Sequence, residues 1–329
     1  MKKILYILLL FSLSGLCFGQ TDQVACNDCD ESSSKLHTTK QVLGNVDSIA
    51  DTSQYFGQKP PGDTAELFAP GVISKPDRHE FGITFSRAGD ECYLGVDEGL
   101  RNATYGFKLQ DGVWSEAKNL LPEAEGSYHD PMLSLDDNRL YYIAHGTRTQ
   151  KLGEKDANLW YLDRTPDGWS APITLGPSIN TKGNEFYIAL TESGNLYFAS
   201  NRQAATDAPY NYDIYMAHPG QIEDTYSPPT RLPDSVNSKR YDADPFVAPD
   251  ESYIIFGSVR RNGFGRGDLY ISFKTEEGWT EAKNMGPKIN NEKHQLCPFV
   301  SRDGKYFFFT SDQDIYWIDA AIINALKPQ

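Results

Sequence analysis

Residues 243–290, ADPFVAPDESYIIFGSVRRNGFGRGDLYISFKTEEGWTEAKNMGPKIN, form one complete module, and its recurrence constrains the fold more than any other feature. Three short β-rich runs are separated by turn residues, then closed by a Trp and a Gly-Pro-x-x-Asn. The same text starts again at Glu80, Asp130, Asn184 and Cys297. A period of roughly fifty residues is that of a propeller blade.

Each module is consistent with a blade in its local chemistry. The first two runs are joined by Asp-Glu, Asp-Asp-Asn, Ser-Gly or Asp-Gly, residues that close a tight hairpin. The third run places Trp160, Tyr215, Tyr270 and Tyr316 at one equivalent position, the pattern of aromatic packing between neighbouring sheets. The fifth module lacks the fourth run that a Trp introduces in the others. An apolar stretch near the start, Phe68 to Ser74, has no partner nearby and can supply that strand against Asp314 to Asp319, leaving no sheet edge open. The expected fold is therefore all-β, a five-bladed propeller closed by an N-terminal strand; six blades result if residues 40–78 fold into more than one strand. The final AAIINALKP has helical spacing and is expected to dock as a short helix.

Composition supports this and bounds the partners. Aromatics at 12%, with 27 Gly and 19 Pro in 329 residues, suit a turn-rich sheet protein. Residues 1–19 read as a signal peptide: Lys2 and Lys3, an apolar run from Ile4 to Leu13, and a small-x-small Cys17-Phe18-Gly19. That run is too short for a stable membrane span. Export to the periplasm or medium is expected, with lipid anchoring through Cys17 as the alternative. Residues 20–54, poor in large apolar side chains, read as a flexible tether, and 55–329 as one propeller domain. Cys26 and Cys29 in the tether suit a local disulfide or two exposed thiols, whereas Cys92 and Cys297 sit in strand patterns as small buried residues. The formal charge is −14, and −16 without Lys2 and Lys3, because residues 1–19 hold no acid. Such a chain repels nucleic acid and anionic headgroups, which leaves a protein or glycan partner.

The Ser-x-Asp-Gly hairpin at Ser301 to Gly304, Gly-Asp-Leu-Tyr at Gly267 to Tyr270, and the Gly-Trp to Ile-Asn stretch at Gly278 to Asn290 resemble the WD40-like Pro-Asp propeller repeat. That is the repeat of TolB-like propellers and of many exported Bacteroidetes proteins. The resemblance covers residues 55–329 and implies the fold; the matching positions are turns and packing, so it implies no activity. The chain lacks the added domains of the best-known members.

Chemistry in a propeller is sought where inner strands begin, near the axis. Aligning the modules on their hairpins puts Glu80, Tyr128, Glu185, Asp242 and Gln295 in one column. Gly82, Asp130, Tyr187, Asp244 and Cys297 fall two residues on, with His79, His129 and His294 adjacent. One reading is an acidic mouth in which His129, Asp130, Glu185, Asp242, Asp244, His294 and Gln295 bind a ligand. Glu80, Glu185 and Asp242 would then be oxygen donors to a hard cation such as Ca2+, or acceptors for sugar hydroxyls. The other reading is that each acid ties a neighbouring loop by accepting its N–H groups.

The chief expectation is a non-catalytic module for a protein or glycan. The alternative is a glycoside hydrolase or lyase using Glu80, Asp130, Glu185 and Asp244, since two carboxyls flanking a glycosidic bond suffice. The Arg- and Gly-rich loop Arg260 to Asp268 is either an anion cradle or a solvated connector, and His145 to Asp156 is long enough to overhang the mouth. No G-x-S-x-G, P-loop or HExxH occurs, which removes serine hydrolase, nucleotide and zincin readings.

Overall fold

The computed structural model describes residues 54–145, 156–204 and 210–328. The chain divides into two units, Met1–Ser48 and Ile49–Gln329, and the described residues fall in the second. The expected signal peptide, the tether up to Ser53, Cys17, Cys26, Cys29 and most of the His145 to Asp156 loop lie outside them.

Five antiparallel sheets form five blades. Their inner strands are His79–Phe85, Ser127–Leu133, Glu185–Leu190, Asp242–Val247 and Gln295–Val300. Successive inner strands touch, and that of blade 5 touches that of blade 1, so the ring is closed at its centre. The second strands are Glu91–Asp97, Arg139–His145, Leu196–Ser200, Tyr253–Ser258 and Tyr306–Ser311. The third are Asn102–Gln110, Asn158–Thr165, Asp213–Ala217, Asp268–Thr275 and Asp314–Asp319. The Gly-Pro-x-x-Asn close has a physical role in blades 2 and 4, and Asn237 repeats it in blade 3. Asn180, Asn237 and Asn290 each accept the N–H and donate to the C=O of one third-strand residue, Leu159, Ile214 and Leu269 respectively. A side chain thereby replaces the missing ladder partner.

Every inner strand has one extra residue relative to its neighbour, a β-bulge. The bulged residues Gly82, Asp130, Tyr187, Asp244 and Cys297 adopt left-handed backbone, with φ between 49° and 63°. Pro131, Pro245 and Pro298 come directly after them in three blades. A proline is tolerated there because an innermost strand has one edge without a ladder partner.

Ring closure is achieved, with Phe68 and Ser74 both bonded to Ile315 as the expected stretch requires, but the paired strand itself lies just before it. Glu66–Leu67 pairs with Trp317 and Tyr316, and the Phe68 N–H donates to Ile315 O at 2.8 Å. Phe68 to Ser74 does not continue as a strand. Pro70 has no N–H and Gly71 has φ 82°, so the backbone folds back with the Gly71 N–H on Ser74 O at 2.7 Å. Phe68 and Ile73 are nonetheless wholly buried. Phe68 meets Trp317, Phe308 and Phe85 edge-on, and Tyr55 fills the seam between blades 5 and 1 against Phe85, Tyr306 and Trp317. The terminal helix, Ala321–Ala325, buries Ile323.

Of the third-run aromatics, Tyr215 and Tyr270 are buried, and Trp160 and Tyr316 pack against the hydrophobic clusters from partly exposed positions. Cys92 and Cys297 are buried free thiols.

Candidate functional site

The column at the inner-strand starts builds a loop tie. Glu185 accepts the N–H and hydroxyl of Thr181 at 3.0 and 2.8 Å, the Ser200 hydroxyl at 2.8 Å, and Arg202 at 3.4 Å. Asp242 repeats this with Ser238 at 2.6 and 2.7 Å, Ser258 at 2.6 Å and Arg260 at 3.4 Å. Blade 5 makes a neutral version: Gln295 exchanges bonds with Asn291 and donates to Ser311 at 3.0 Å. In each case the residue four positions back is held, which fixes the loop that crosses from the preceding blade. The Tyr128 hydroxyl ties its own crossing to Asn119 and Leu121.

Glu80 is held by Arg78, whose Nε donates at 2.5 Å, while its Oε2 has no hydrogen-bond partner. Burial pushes Glu80 up to about 7 against the pull of Arg78, and the neighbouring Asp314 adds to the rise. Burial likewise raises Asp242 against Ser258, Ser238 and Arg260. Glu80, Glu185, Asp242 and Gln295 all have zero exposure. The Arg partners Arg202 and Arg260, two residues after Ser200 and Ser258, carried a readable signal: Ser-x-Arg ends the second strand in both blades.

The bulge residues meet at the axis. Cys297 Sγ lies 3.8 Å from Asp130 Oδ1, and the Tyr187 hydroxyl donates to Pro298 O at 3.1 Å. Gly82 is required there, because a Cβ would stand 3.0 Å from Asp130 Oδ1 and 3.1 Å from its Cα. Asp130 and Asp244 therefore share the centre, each 8% exposed. Burial and the charge of Asp130 push Asp244 up to about 7, opposed by the Cys297 N–H. His129 sets Nδ1 3.2 Å from Asp130 Oδ2 and Nε2 3.2 Å from His145 Nε2. Phe81 abuts His129, while Phe186, Tyr212 and Tyr241 form an aromatic chain at centroid distances of 5.1 and 5.4 Å.

The structure thus splits the expected acidic set in two. Asp130, Asp244 and His129 come together at the axis, whereas Glu185, Asp242 and Gln295 are consumed within their own blades and Glu80 is held by Arg78 through one oxygen only. His294 sits apart, bridging to the 260–267 loop through Gly267, and burial with the charge of Arg266 lowers its pKa. That loop is ordered around Asp268, which accepts the Phe264 and Gly265 N–H groups at 2.6 and 3.1 Å. Among the described residues no group of three or more His, Cys, Asp or Glu is arranged to hold a metal ion. A groove of about 360 Å³ lies away from the axis, between Phe56, Val72, Val113 and Trp114.

No family model matches the chain, and no curated protein matches it. Solved structures do. A thermostable family-43 glycoside hydrolase aligns with TM-score 0.50 at 13% identity, over 75% of this chain and 91% of that one. An endo-arabinase from Bacteroides thetaiotaomicron aligns with TM-score 0.48 at 13% identity, over 78% and 94%. TolB from Acinetobacter baumannii aligns with TM-score 0.46 at 13% identity, over 73% of this chain and 54% of that one, so this chain matches about half of TolB's length. At such identities the likeness is one of fold.

Proposed function

We propose that the chain is an exported, non-catalytic propeller of the Pro-Asp repeat kind that binds a protein or glycan partner on the face where its inner strands begin. Residues 1–19 would be removed on export and 20–54 would tether the propeller. One observation carries the reading: at the mouth Glu185 and Asp242 are fully enclosed and bonded within their blades, so neither carboxylate is free to meet a substrate. Such bonds rigidify a surface, and a rigid surface of loops is what recognition uses.

A second reading, a polysaccharide-active enzyme, has a single support. At the axis, burial and the charge of Asp130 push Asp244 up to about 7, where a carboxyl can hold a proton near neutrality as a general acid must. Sugar release decides between them. Incubated with neutral and acidic polysaccharides, the purified chain is expected to release no reducing ends above blank, and Asp130→Asn and Asp244→Asn to leave that unchanged. Release that Asp244→Asn abolishes would install the enzyme in place of the binding module.

A further inference from the structure

The mouth face has a charge pattern that the loop ties do not use. In a four-stranded antiparallel blade, the loop before the inner strand and the loop between the second and third strands emerge on the same face. Among the described residues, in blades 3 to 5 these loops expose Lys182, Lys239, Arg240, Arg261, Arg266 and Lys293 against two exposed acids, Glu292 and Asp312. Lys293 shares Asp312 at 3.2 Å, and the other five have no carboxylate partner among the described residues. The loops of blades 4 and 5 are joined, since the Arg266 N–H donates to Lys293 O at 3.0 Å. Among the described residues, the equivalent loops of blades 1 and 2 across the axis expose Asp77, Glu98, Glu123, Glu125 and Asp156, with Lys75 as an exposed cation. Among the described residues the mouth loops of blades 3 to 5 are therefore net basic and those of blades 1 and 2 net acidic, on a chain whose net charge is −14. A surface selected for solubility alone intersperses its signs.

Two exposed rings stand in the net basic loops, Phe264 at 49% and Tyr210 at 50%. An aromatic face flanked by Lys and Arg suits a ligand with flat apolar surfaces and regularly spaced anions. We propose that the mouth loops of blades 3 to 5 bind an acidic polysaccharide, one whose sugars carry carboxylate or sulfate groups. The inference rests on the mouth face being a binding surface and names its ligand class. A nucleic acid fits less well: its closely spaced phosphates meet the repulsion of the whole acidic chain, whereas a polymer with one charge per sugar meets mainly the local arc.

The test is biolayer interferometry of the full-length chain on immobilised polygalacturonate, its methyl-esterified form, dextran sulfate, dextran and duplex DNA. The charged glycans are expected to bind and the uncharged forms with the same backbones to bind weakly or not at all. Affinity should fall about tenfold or more between about 50 and 200 mM salt, as ion release requires. The triple variant Lys239→Glu, Arg240→Glu, Arg261→Glu is expected to lose about tenfold or more, and Lys118→Glu with Lys283→Glu, on outer strands, less than about twofold. Lys182→Glu, from a different blade, lowers affinity in the same direction and keeps the test open should the triple variant not fold. Equal binding of esterified and free polymer, preference for DNA, wild-type affinity in the arc variants, or no binding to any charged glycan would each overturn the inference. Binding to a neutral glycan untouched by the arc variants would leave the binding-module reading standing, whereas sugar release would remove it.

Discussion

Asp244 shows how one side chain couples fold and pH. It is 8% exposed, sits in left-handed backbone at φ 53°, and faces Asp130 across the axis. Its folded pKa of about 7 lies above the 3.8 of an unperturbed Asp, so the folded chain keeps a proton that the unfolded chain releases. Stability from this group is then complete below about pH 4, falls as pH rises from about 4 to 7, and is flat above that. A rise of this size corresponds to on the order of 4 kcal/mol. Asn is isosteric with the protonated acid and tolerates the left-handed region. Asp244→Asn is therefore expected to melt with wild type at pH 4 and several degrees above it at pH 8. A difference in melting temperature that is the same at both pH values contradicts the assignment. Glu80 titrates in the same window and direction, so the comparison must be variant against wild type, not one pH against another.

At the scale of elements, Glu66 and Leu67 close the ring, and the adjoining Phe68 gives the closure its strength. Phe68 has no exposure and lies against Trp317, Phe308 and Phe85 on two blades. Phe68→Ala removes that contact and leaves a cavity at the seam, at a cost of about 3 to 5 kcal/mol. Urea unfolding checks it; a loss below about 1 kcal/mol would mean that the seam contributes little. The closure was legible because blade 5 lacks a fourth run and an apolar stretch near the start lacks a partner. Its register was not, because the Ala69-Pro70-Gly71 turn ends the strand one residue after Leu67, and apolar content alone does not reveal where a chain turns. The bulges were hidden for a similar reason. Asp130, Asp244 and Cys297 each precede a proline, which favours extended backbone, yet all three are left-handed under the constraint of the inner strand. With Gly82 and Tyr187 they share one column in the sequence, but only the bulge brings the five to the axis. The ties of Glu185 and Asp242 were half legible: the loop-tie reading was available from the acids, and the Arg that completes each tie lies on a different strand.

Taken as a whole, the described residues combine a closed ring, an axis filled by its own bulges and a mouth whose loops in blades 3 to 5 are net basic. Net charge describes this poorly. The −14 of the chain argues for repulsion of polyanions at long range, but with a screening length near 8 Å at physiological salt a local arc of six cations against two acids acts on its own. The ties at Glu185, Asp242 and Gln295 hold Thr181, Ser238 and Asn291, within a residue or two in the chain of Lys182, Lys239 with Arg240, and Lys293, so these buried side chains fix the loops that carry the exposed bases. Recognition at that face is the central claim, and a hydrogen-exchange footprint tests it most directly. With polygalacturonate bound, slowed exchange is predicted in residues 181–184, 238–241, 260–267 and 291–294, with the hairpin turns on the opposite face unchanged. Protection centred on those hairpins, or no protection in the four loops at saturating polymer, would contradict it.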